Sequence, residues 1–210
     1  MSERTKVRVL FGATGLLALL VGGYFGFALR DGSPPETNVE INGVVLSAPR
    51  QLPHFELVDG NGSTFTSEDF RGSWSFVYFG YTYCPDVCPM SLVEMATLKK
   101  QVDSAGFDGA HRYFLMSVDP DRDTAARVGE YVEYFDAGFE GLTGKADQID
   151  VFAQAAGIAY HVPEDRSDPN YLVGHSSIIT LINPAGQVHA FFTSPLDGNT
   201  IADDFLKIVD

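Results

Sequence analysis

The amino-acid sequence predicts an α/β domain, with a central mixed sheet flanked by helices, behind a single transmembrane helix. Strand-like and helix-like segments alternate from residue 55 to residue 209, which is typical of a sheet covered by helices. An uncharged apolar segment precedes them, and a polar stretch with Pro and Gly separates the two parts. With 210 residues, the chain has room for one domain with a sizeable core and a short appendage.

Residues 9–29 are the predicted membrane anchor. The segment has 21 residues without a charge, and a helix needs about 20 apolar residues to cross the hydrocarbon core. A cleaved signal peptide is the alternative, but its apolar region is usually shorter, and residues 27–30 (FALR) make a poor cleavage site. We therefore expect a retained, single-pass helix.

The charges beside the anchor predict its orientation. Residues 1–8 carry three basic side chains, so the positive-inside rule leaves this end in the cytoplasm and exports the rest. The exported part lies in the periplasm of a bacterium or in the mitochondrial intermembrane space. No Arg- and Ser-rich transit peptide precedes the anchor, which favours the bacterial inner membrane. Residues 30–45 are the predicted linker and residues 46–210 the predicted domain.

Short apolar runs and turn signals predict the first elements of the domain. Residues 55–58 are strand-like, the DGNG segment at 59–62 is a strong turn signal, and residues 63–65 return from it. Residues 74–79 (WSFVYF) suit a buried central strand. A helical pattern starts at Cys88, with apolar side chains at positions 92, 93, 95, 96, 98 and 102.

The remaining elements alternate in the same way. Residues 113–118 are a second core strand, and residues 124–135 a helix with Asp123 as its predicted N-cap. Residues 146–156 form a helix that ends at Gly157. Two hairpin strands and a last helix follow at residues 177–182, 188–192 and 200–209. A cysteine-containing turn after a core strand, with a C-terminal hairpin and helix, is the layout of the thioredoxin-like fold; this step is an analogy.

The charge of the chain excludes one class of partner. The net charge is −14, and because residues 1–30 carry +3, the remainder carries −17. Binding to nucleic acid needs a basic surface, so we expect no nucleic-acid partner. A basic protein partner and solubility alone are both compatible with this charge.

The chain has two cysteines, Cys84 and Cys88, in the segment Cys-Pro-Asp-Val-Cys. If the second one begins a helix, both sulfurs project from the same side of its first turn, where free amides lower the pKa of a thiol. Pro85 and Pro89 stiffen the loop. Because a thiolate is both a nucleophile and a metal ligand, the two cysteines are either a redox pair or a soft metal site.

Copper is the metal that this pair favours. Thiolates favour Cu(I) as a metal. A structural zinc site requires four protein ligands, and magnesium and calcium prefer oxygen ligands. A redox pair is usually one residue closer, as Cys-x-x-Cys. A simple structural disulfide would leave the flanking prolines unexplained.

A histidine is the natural third ligand, and the chain has five. Surface positions are expected for His54, His111 and His161, and His189 lies in the outer strand of the predicted hairpin. His175 stands at the entrance of the last hairpin, a loop that packs beside the cysteine turn in a thioredoxin-like fold. On sequence alone, a capping or surface role for His175 is the alternative.

Residues 78–89 (YFGYTYCPDVCP) resemble the signature of the Sco/SenC family, the copper chaperones of cytochrome c oxidase assembly. Residues 119–124 (DPDRDT) resemble the second motif of that family, and residues 141–144 (GLTG) and 173–176 (VGHS) also match. The resemblance runs from about residue 53 to the C-terminus and includes the N-terminal anchor. One position departs from the family, because Gly174 stands where an acidic residue is common. This puts in doubt a carboxylate that would orient the histidine.

The resemblance implies a metallochaperone rather than an enzyme. It implies one copper ion per chain, Cu(I) or Cu(II), with Cys84, Cys88 and His175 as its ligands. The implied recipient is the CuA centre of cytochrome c oxidase subunit II, and a copper-donating periplasmic chaperone is a further partner.

Alternatives stay open on sequence alone. The same cysteines suit a thiol–disulfide oxidoreductase that reduces the target site, or a redox or copper sensor. A peroxidase of the peroxiredoxin type is disfavoured, because Thr82 is two residues before Cys84 and that type resembles Thr-x-x-Cys. Asp86 either tunes the sulfurs or forms the turn, and Met90 either contacts copper or fills the core.

Two further segments each have two interpretations. Asp119, Arg122 and Asp123 form either an ion-paired loop beside the site, or a helix cap with a structural salt bridge. The acidic segment 164–168 is either a partner-docking loop or a solvated one.

Overall fold

Residues 41–210, which the computed structural model describes, form an eight-stranded mixed sheet, a separate two-stranded sheet and flanking helices. The strands are β1 Val44–Gln51, β2 Glu56–Asp59, β3 Thr64–Thr66, β4 Trp74–Gly80, β5 His111–Ser117, β6 Phe139–Thr143, β7 Tyr160–His161, β8 Gly174–His175, β9 Ile178–Ile182 and β10 Gln187–Thr193. The helices are a 3₁₀ turn at Ser67–Phe70, α1 Val87–Ser104, α2 Ala125–Glu133, α3 Ala146–Ala155 and α4 Gly198–Val209.

The large sheet has the order β1-β10-β9-β4-β5-β6-β2-β3, which places β4 in its middle. Strand β4 pairs in parallel with β5 and antiparallel with β9, so the strand before the cysteines is fixed on both edges. The small sheet contains only β7 and β8. Its register pairs Tyr160 with His175, and it therefore holds the histidine-bearing segment.

Aromatic side chains fill one part of the core. Phe70 contacts several other rings, with centroid distances of 5.0 Å to Phe65, 5.2 Å to Phe114 and 5.4 Å to Phe152. All of these side chains are buried. Burial of large rings is the strongest apolar contribution that single side chains make to folding.

The predicted strands and helices are confirmed, with ends that differ by at most two residues. Strand β1 was not predicted. Its side chains are nearly all exposed and include Pro49, so it lacks the alternation that marks a half-buried strand.

The predicted N-cap at Asp123 is wrong. Thr124 occupies that position, and its side chain accepts a hydrogen bond from the backbone N–H of Arg127. Asp123 is buried instead, and its carboxylate accepts hydrogen bonds from Thr82 and Ser117. Asp123 and Thr124 are both residue types that cap helices. Because donors from distant segments bind the carboxylate of Asp123, Thr124 is left as the cap.

The first described residues are tied to the last helix. The backbone N–H of Asn42 donates to the buried carboxylate of Asp204 at 2.8 Å, across 162 residues of sequence. Strand β1 follows directly and pairs antiparallel with β10. The first residues of the domain are therefore held by its last helix and its last strand.

Within residues 41–210, no helix is both long and apolar enough to cross a membrane. The predicted anchor at 9–29, the segment 1–8 and the linker up to residue 40 lie outside the described residues.

Candidate metal centre

Cys84, Cys88 and His175 come together at one end of the central sheet. Their ligand atoms all lie within 4.8 Å of one another. The Sγ of Cys88 is 3.3 Å from the Nε2 of His175, and both cysteines are buried. The loop after β4, the first turn of α1 and strand β8 each contribute one of the three side chains.

The first turn of α1 orients the two sulfurs. The backbone N–H of Cys88 donates to the Sγ of Cys84 at 3.4 Å, so this sulfur satisfies one of the free amides of the helix. Asp86 stands at the N-cap position, but its exposed side chain makes no capping hydrogen bond within residues 41–210. Pro89 is accepted because the first turn of a helix needs no amide donor there.

The backbone around His175 holds its ring with one nitrogen towards the sulfurs. The Nδ1 of His175 is 3.2 Å from the carbonyl oxygen of Ser176, and the Ser176 N–H donates to Ala159 at 2.9 Å. A proton on Nδ1 donates to that carbonyl and leaves the Nε2 lone pair facing Cys88. The rings of Tyr78 and Tyr81 lie edge-on, each with its centroid 5.9 Å from that of His175.

Burial sets the protonation of the site. It raises the pKa of the Cys88 thiol well above its ordinary value, with the neighbouring Cys84 adding to the effect. The expectation that the helix N-terminus lowers the pKa is therefore wrong for Cys88. Burial also lowers the pKa of His175, which favours the neutral, ligating form of the ring. A metal that binds here must displace the thiol proton of Cys88.

The other candidate residues lie elsewhere. Met90 is 64% exposed, so it does not fill the core, which was one of its two interpretations. The remaining histidines do not join the two sulfurs within the described chain. His111 is half-buried rather than on the surface, and its Nε2 lies 3.4 Å from Asp103. His189 is half-buried too, and its ring packs edge-on against Trp74.

The motif at 119–124 lies beside the site and forms the predicted ion pair, whereas the helix cap falls on Thr124 rather than on Asp123. Arg122 forms an ion pair with Asp119 at 2.5 Å, and Thr124 caps α2. The guanidinium of Arg122 also lies over the rings of Tyr81 and Tyr83, which flank the cysteine loop. In the segment 164–168 all side chains are exposed.

Gly80 is a site residue that sequence reasoning missed. It ends β4, and a Cβ built on it would lie 3.0 Å from the Sγ of Cys88 and 3.3 Å from Leu115. The position therefore needs glycine for space rather than for backbone conformation. Its place at the end of a buried strand, four residues before Cys84, was the signal available in the sequence.

We expect Gly80→Ala to weaken metal binding. The added methyl displaces the sulfur of Cys88, and overpacking of this kind costs about 1–3 kcal/mol of folding stability. Metal titration and denaturant unfolding measure both effects. Gly174→Ala is the matched control, because a Cβ there meets no atom within 4 Å in the described structure. Equal metal affinity of the Gly80 variant and the wild type would contradict the prediction.

Comparisons with known proteins show the family of the chain. A family model described as SCO1/SenC matches residues 46–210. A Stutzerimonas stutzeri protein described as "Putative copper-binding protein" is 35% identical over 157 residues, which are 75% of this chain and 76% of that protein. The mitochondrial SCO1 homologue of Homo sapiens is 35% identical over 138 residues, or 66% of this chain and 46% of the human protein. The match therefore spans about half the length of the mitochondrial relative.

The fold is shared with solved structures. Copper-bound ScoI of Arabidopsis thaliana superposes with a TM-score of 0.69 at 30% identity, over 75% of this chain and 96% of that chain. This match confirms the predicted thioredoxin-like architecture of a mixed sheet with flanking helices.

Proposed function

The chain belongs to the SCO1/SenC family, and from that premise we propose that it is a copper chaperone. It binds copper through Cys84, Cys88 and His175 and delivers it to the CuA centre of cytochrome c oxidase subunit II. The observation that carries the proposal is the convergence of these three ligand atoms within 4.8 Å. Copper is here a cargo, and the protein is a binding protein rather than an enzyme.

The donor set fits copper. Two thiolates and one imidazole are soft to intermediate ligands, which suit Cu(I) and tolerate Cu(II). Zinc in a structural site wants four protein ligands, and no fourth His, Cys, Asp or Glu joins the group within residues 41–210. The copper-bound state of the Arabidopsis ScoI structure supports the same metal, and the single group of three ligands supports a proposal of one ion per chain.

Delivery by ligand exchange fits the exposure of the site. Cys84 is 8% exposed while Cys88 is fully buried, so an incoming thiolate reaches the metal from the Cys84 side. Three apolar side chains that are close to the cysteines in sequence, Tyr83, Val87 and Met90, are exposed. A protein surface can dock on such side chains and exclude water during transfer.

The proposed setting is the periplasmic face of a bacterial inner membrane. The uncharged segment 9–29, with basic residues on its N-terminal side, supports a single-pass anchor. The linker, which is shorter than the predicted 30–45 because Val44 already belongs to β1, keeps the domain near the oxidase, which is itself a membrane protein. A copper-donating periplasmic chaperone is the proposed source of the cargo.

Replacing His175 tests the proposal. We expect the wild-type chain, reduced and anaerobic, to bind one copper ion, and His175→Ala to bind it roughly a hundredfold more weakly, because one of three ligands is lost. Competition with a chromophoric Cu(I) chelator measures the affinities. Met90→Leu is the control, since the exposed thioether is no ligand in the proposal. A wild-type chain that binds no copper would refute the chaperone function.

A thiol–disulfide oxidoreductase is the second candidate, and the contact between the two free cysteines favours it. The thiolate of one cysteine attacks a target disulfide to form a mixed disulfide and release one target thiol. The second cysteine then attacks, which leaves a Cys84–Cys88 disulfide and two target thiols. This reaction does not use His175. The oxidoreductase would therefore be favoured if the wild type binds no copper and the His175→Ala variant exchanges disulfides as fast as the wild type. A redox or copper sensor would use the same groups.

A further inference from the structure

The three proposed ligands come from two loops that are far apart in sequence. Residues 81–88 carry both cysteines, and residues 162–175 lead to His175. We propose that Arg122 is a positioning residue that joins these two loops and so fixes the distance between the sulfurs and the imidazole. This inference rests on the proposed copper site. Arg122 touches no ligand atom itself and acts through the residues beside them.

Arg122 holds the histidine loop by two contacts. Its Nη1 donates to the carbonyl oxygen of Pro169 at 2.9 Å, and its guanidinium carbon lies 3.5 Å from the ring centroid of Tyr171. The hydroxyl of Tyr171 donates to Asp119 at 2.6 Å, which fixes that ring under the guanidinium. Tyr171 is four residues before His175, so these contacts fix the position of the loop close to the proposed ligand.

The same guanidinium faces the cysteine loop. Its carbon lies 4.7 Å from the ring centroid of Tyr83, the residue before Cys84, and 5.6 Å from that of Tyr81. The hydroxyl of Tyr81 accepts a hydrogen bond from the backbone N–H of Val173 at 3.2 Å. The two loops therefore meet directly at this contact, and Arg122 packs against both of them.

The position of Arg122 is itself fixed. Its Nε donates to Asp119 at 2.5 Å, and the arginine and aspartate side chains are 11% and 1% exposed. An ion pair that is shielded from water is screened less than a surface pair. A planar guanidinium can also pair with a carboxylate and stack on rings at once, which an ammonium group cannot reproduce.

The cysteine loop has a second attachment to the same segment. Asp123 accepts hydrogen bonds from the backbone N–H and the hydroxyl of Thr82 at 2.9 and 2.6 Å. Arg127 donates to that hydroxyl at 2.7 Å, and its guanidinium lies 4.1 Å from the Tyr83 ring. Of the two loops, Asp123 and Arg127 contact only the one that carries the cysteines, whereas Arg122 contacts both. Arg122 is therefore the side chain that contacts both loops, and its loss leaves their direct contact between Tyr81 and Val173 without this support.

A double-mutant cycle in the full-length chain tests this role. We expect Arg122→Met to lower Cu(I) affinity about tenfold, the range found when groups that orient metal ligands are removed. Arg122→Lys keeps the charge and should still lose affinity. In the His175→Ala background, Arg122→Met should have less than about a twofold further effect, because its action passes through His175. Equal losses in both backgrounds would overturn the proposal.

Thiol alkylation gives a readout without copper. Removing a positive charge by itself makes a nearby thiol less ionised and slower to react. Release of the loops has the opposite effect, so we expect Cys84 of Arg122→Met to react with iodoacetamide faster than in the wild type. A slower or unchanged reaction would overturn the proposal. If the wild type binds no copper, the proposed function fails while this measurement still tests Arg122.

Arg71 provides a matched control. It pairs with Glu68 three residues away and donates to the carbonyl oxygen of Ala185, so it matches the ion pair and the carbonyl contact of Arg122 at an exposed place. Arg71→Met should change neither copper affinity nor alkylation. If Arg122→Met lowers the unfolding midpoint too far for comparison, Tyr171→Phe removes only the hydroxyl that binds Asp119. Tyr171→Phe should then show a smaller loss of copper affinity, and an affinity equal to wild type would count against the proposal.

Discussion

Cys88→Ser is expected to lower Cu(I) affinity by two to three orders of magnitude, the largest effect of any single substitution at the site. Zinc binding at a four-ligand thiolate and imidazole site is worth about 10–16 kcal/mol, or roughly 2.5–4 kcal/mol per ligand, and we take this as the scale for one thiolate ligand here. Serine offers a hard oxygen that does not ionise at neutral pH. Cys88 is also the ligand in contact with His175, so its loss removes the centre of the group. Chelator competition under anaerobic conditions measures the change.

Ser91→Ala is the control for this substitution. Ser91 is buried one turn further along α1 and donates to the carbonyl oxygen of Val87, so it shares the environment but not the proposed role. Its variant should bind copper as the wild type does. A Cys88→Ser chain that keeps affinity within tenfold would show that the metal is held elsewhere.

The second large effect concerns stability. Asp123→Ala should lower the free energy of unfolding by about 3–5 kcal/mol, because it leaves buried donors unpaired. Its carboxylate accepts two hydrogen bonds from Thr82 and one from the hydroxyl of Ser117 at 2.6 Å. For a domain of this size the loss corresponds to roughly 6–20 °C in the melting temperature. Thermal and denaturant unfolding of the metal-free chain measure it.

Asp59→Ala separates burial from hydrogen-bond count. The Asp59 carboxylate also accepts from two backbone amides, Asn61 and Ser63, but it does so in a solvent-exposed turn. Water can replace those bonds, so this variant should lose about 1 kcal/mol. Similar losses for the two aspartates would contradict the argument that the buried position of Asp123 matters.

Local pattern was enough to predict the elements that carry the cysteines. Residues 74–79 are apolar and aromatic apart from Ser75, as a central strand with both faces covered requires. The helix after Cys88 was equally clear from its apolar spacing. Because a sharp turn joins a buried strand to a helix here, the placement of both thiols at the end of the sheet followed from local sequence.

Features set by distant contacts could not be predicted in the same way. Strand β1 has few buried side chains and is held by the backbone of β10, which leaves little trace in its sequence. Strands β7 and β8 are two residues each, too short for any periodicity. Asp123 has the composition of a cap, but Thr82, 41 residues earlier, binds it instead.

The histidine was predicted with help from the family resemblance rather than from local physics. No property of residues 172–176 alone distinguishes His175 from the other four. What selects it is the pairing of β7 with β8 and the contact between Tyr81 and Val173, both of which join distant segments. The raised pKa of Cys88 was missed for a related reason, because burial depends on packing that the helix start does not reveal.

The pairing of β1 with β10 has a consequence for when the chain can fold during its synthesis. Synthesis proceeds from the N-terminus, yet β1 has no partner until β10 emerges, and the Asn42–Asp204 bond spans 162 residues. The outer edge of β9 likewise stays open until then. Such distant pairings make folding slow, so the domain closes only when nearly all of it has left the ribosome. A nascent chain that stops before residue 187 therefore presents unpaired strand edges to chaperones and proteases.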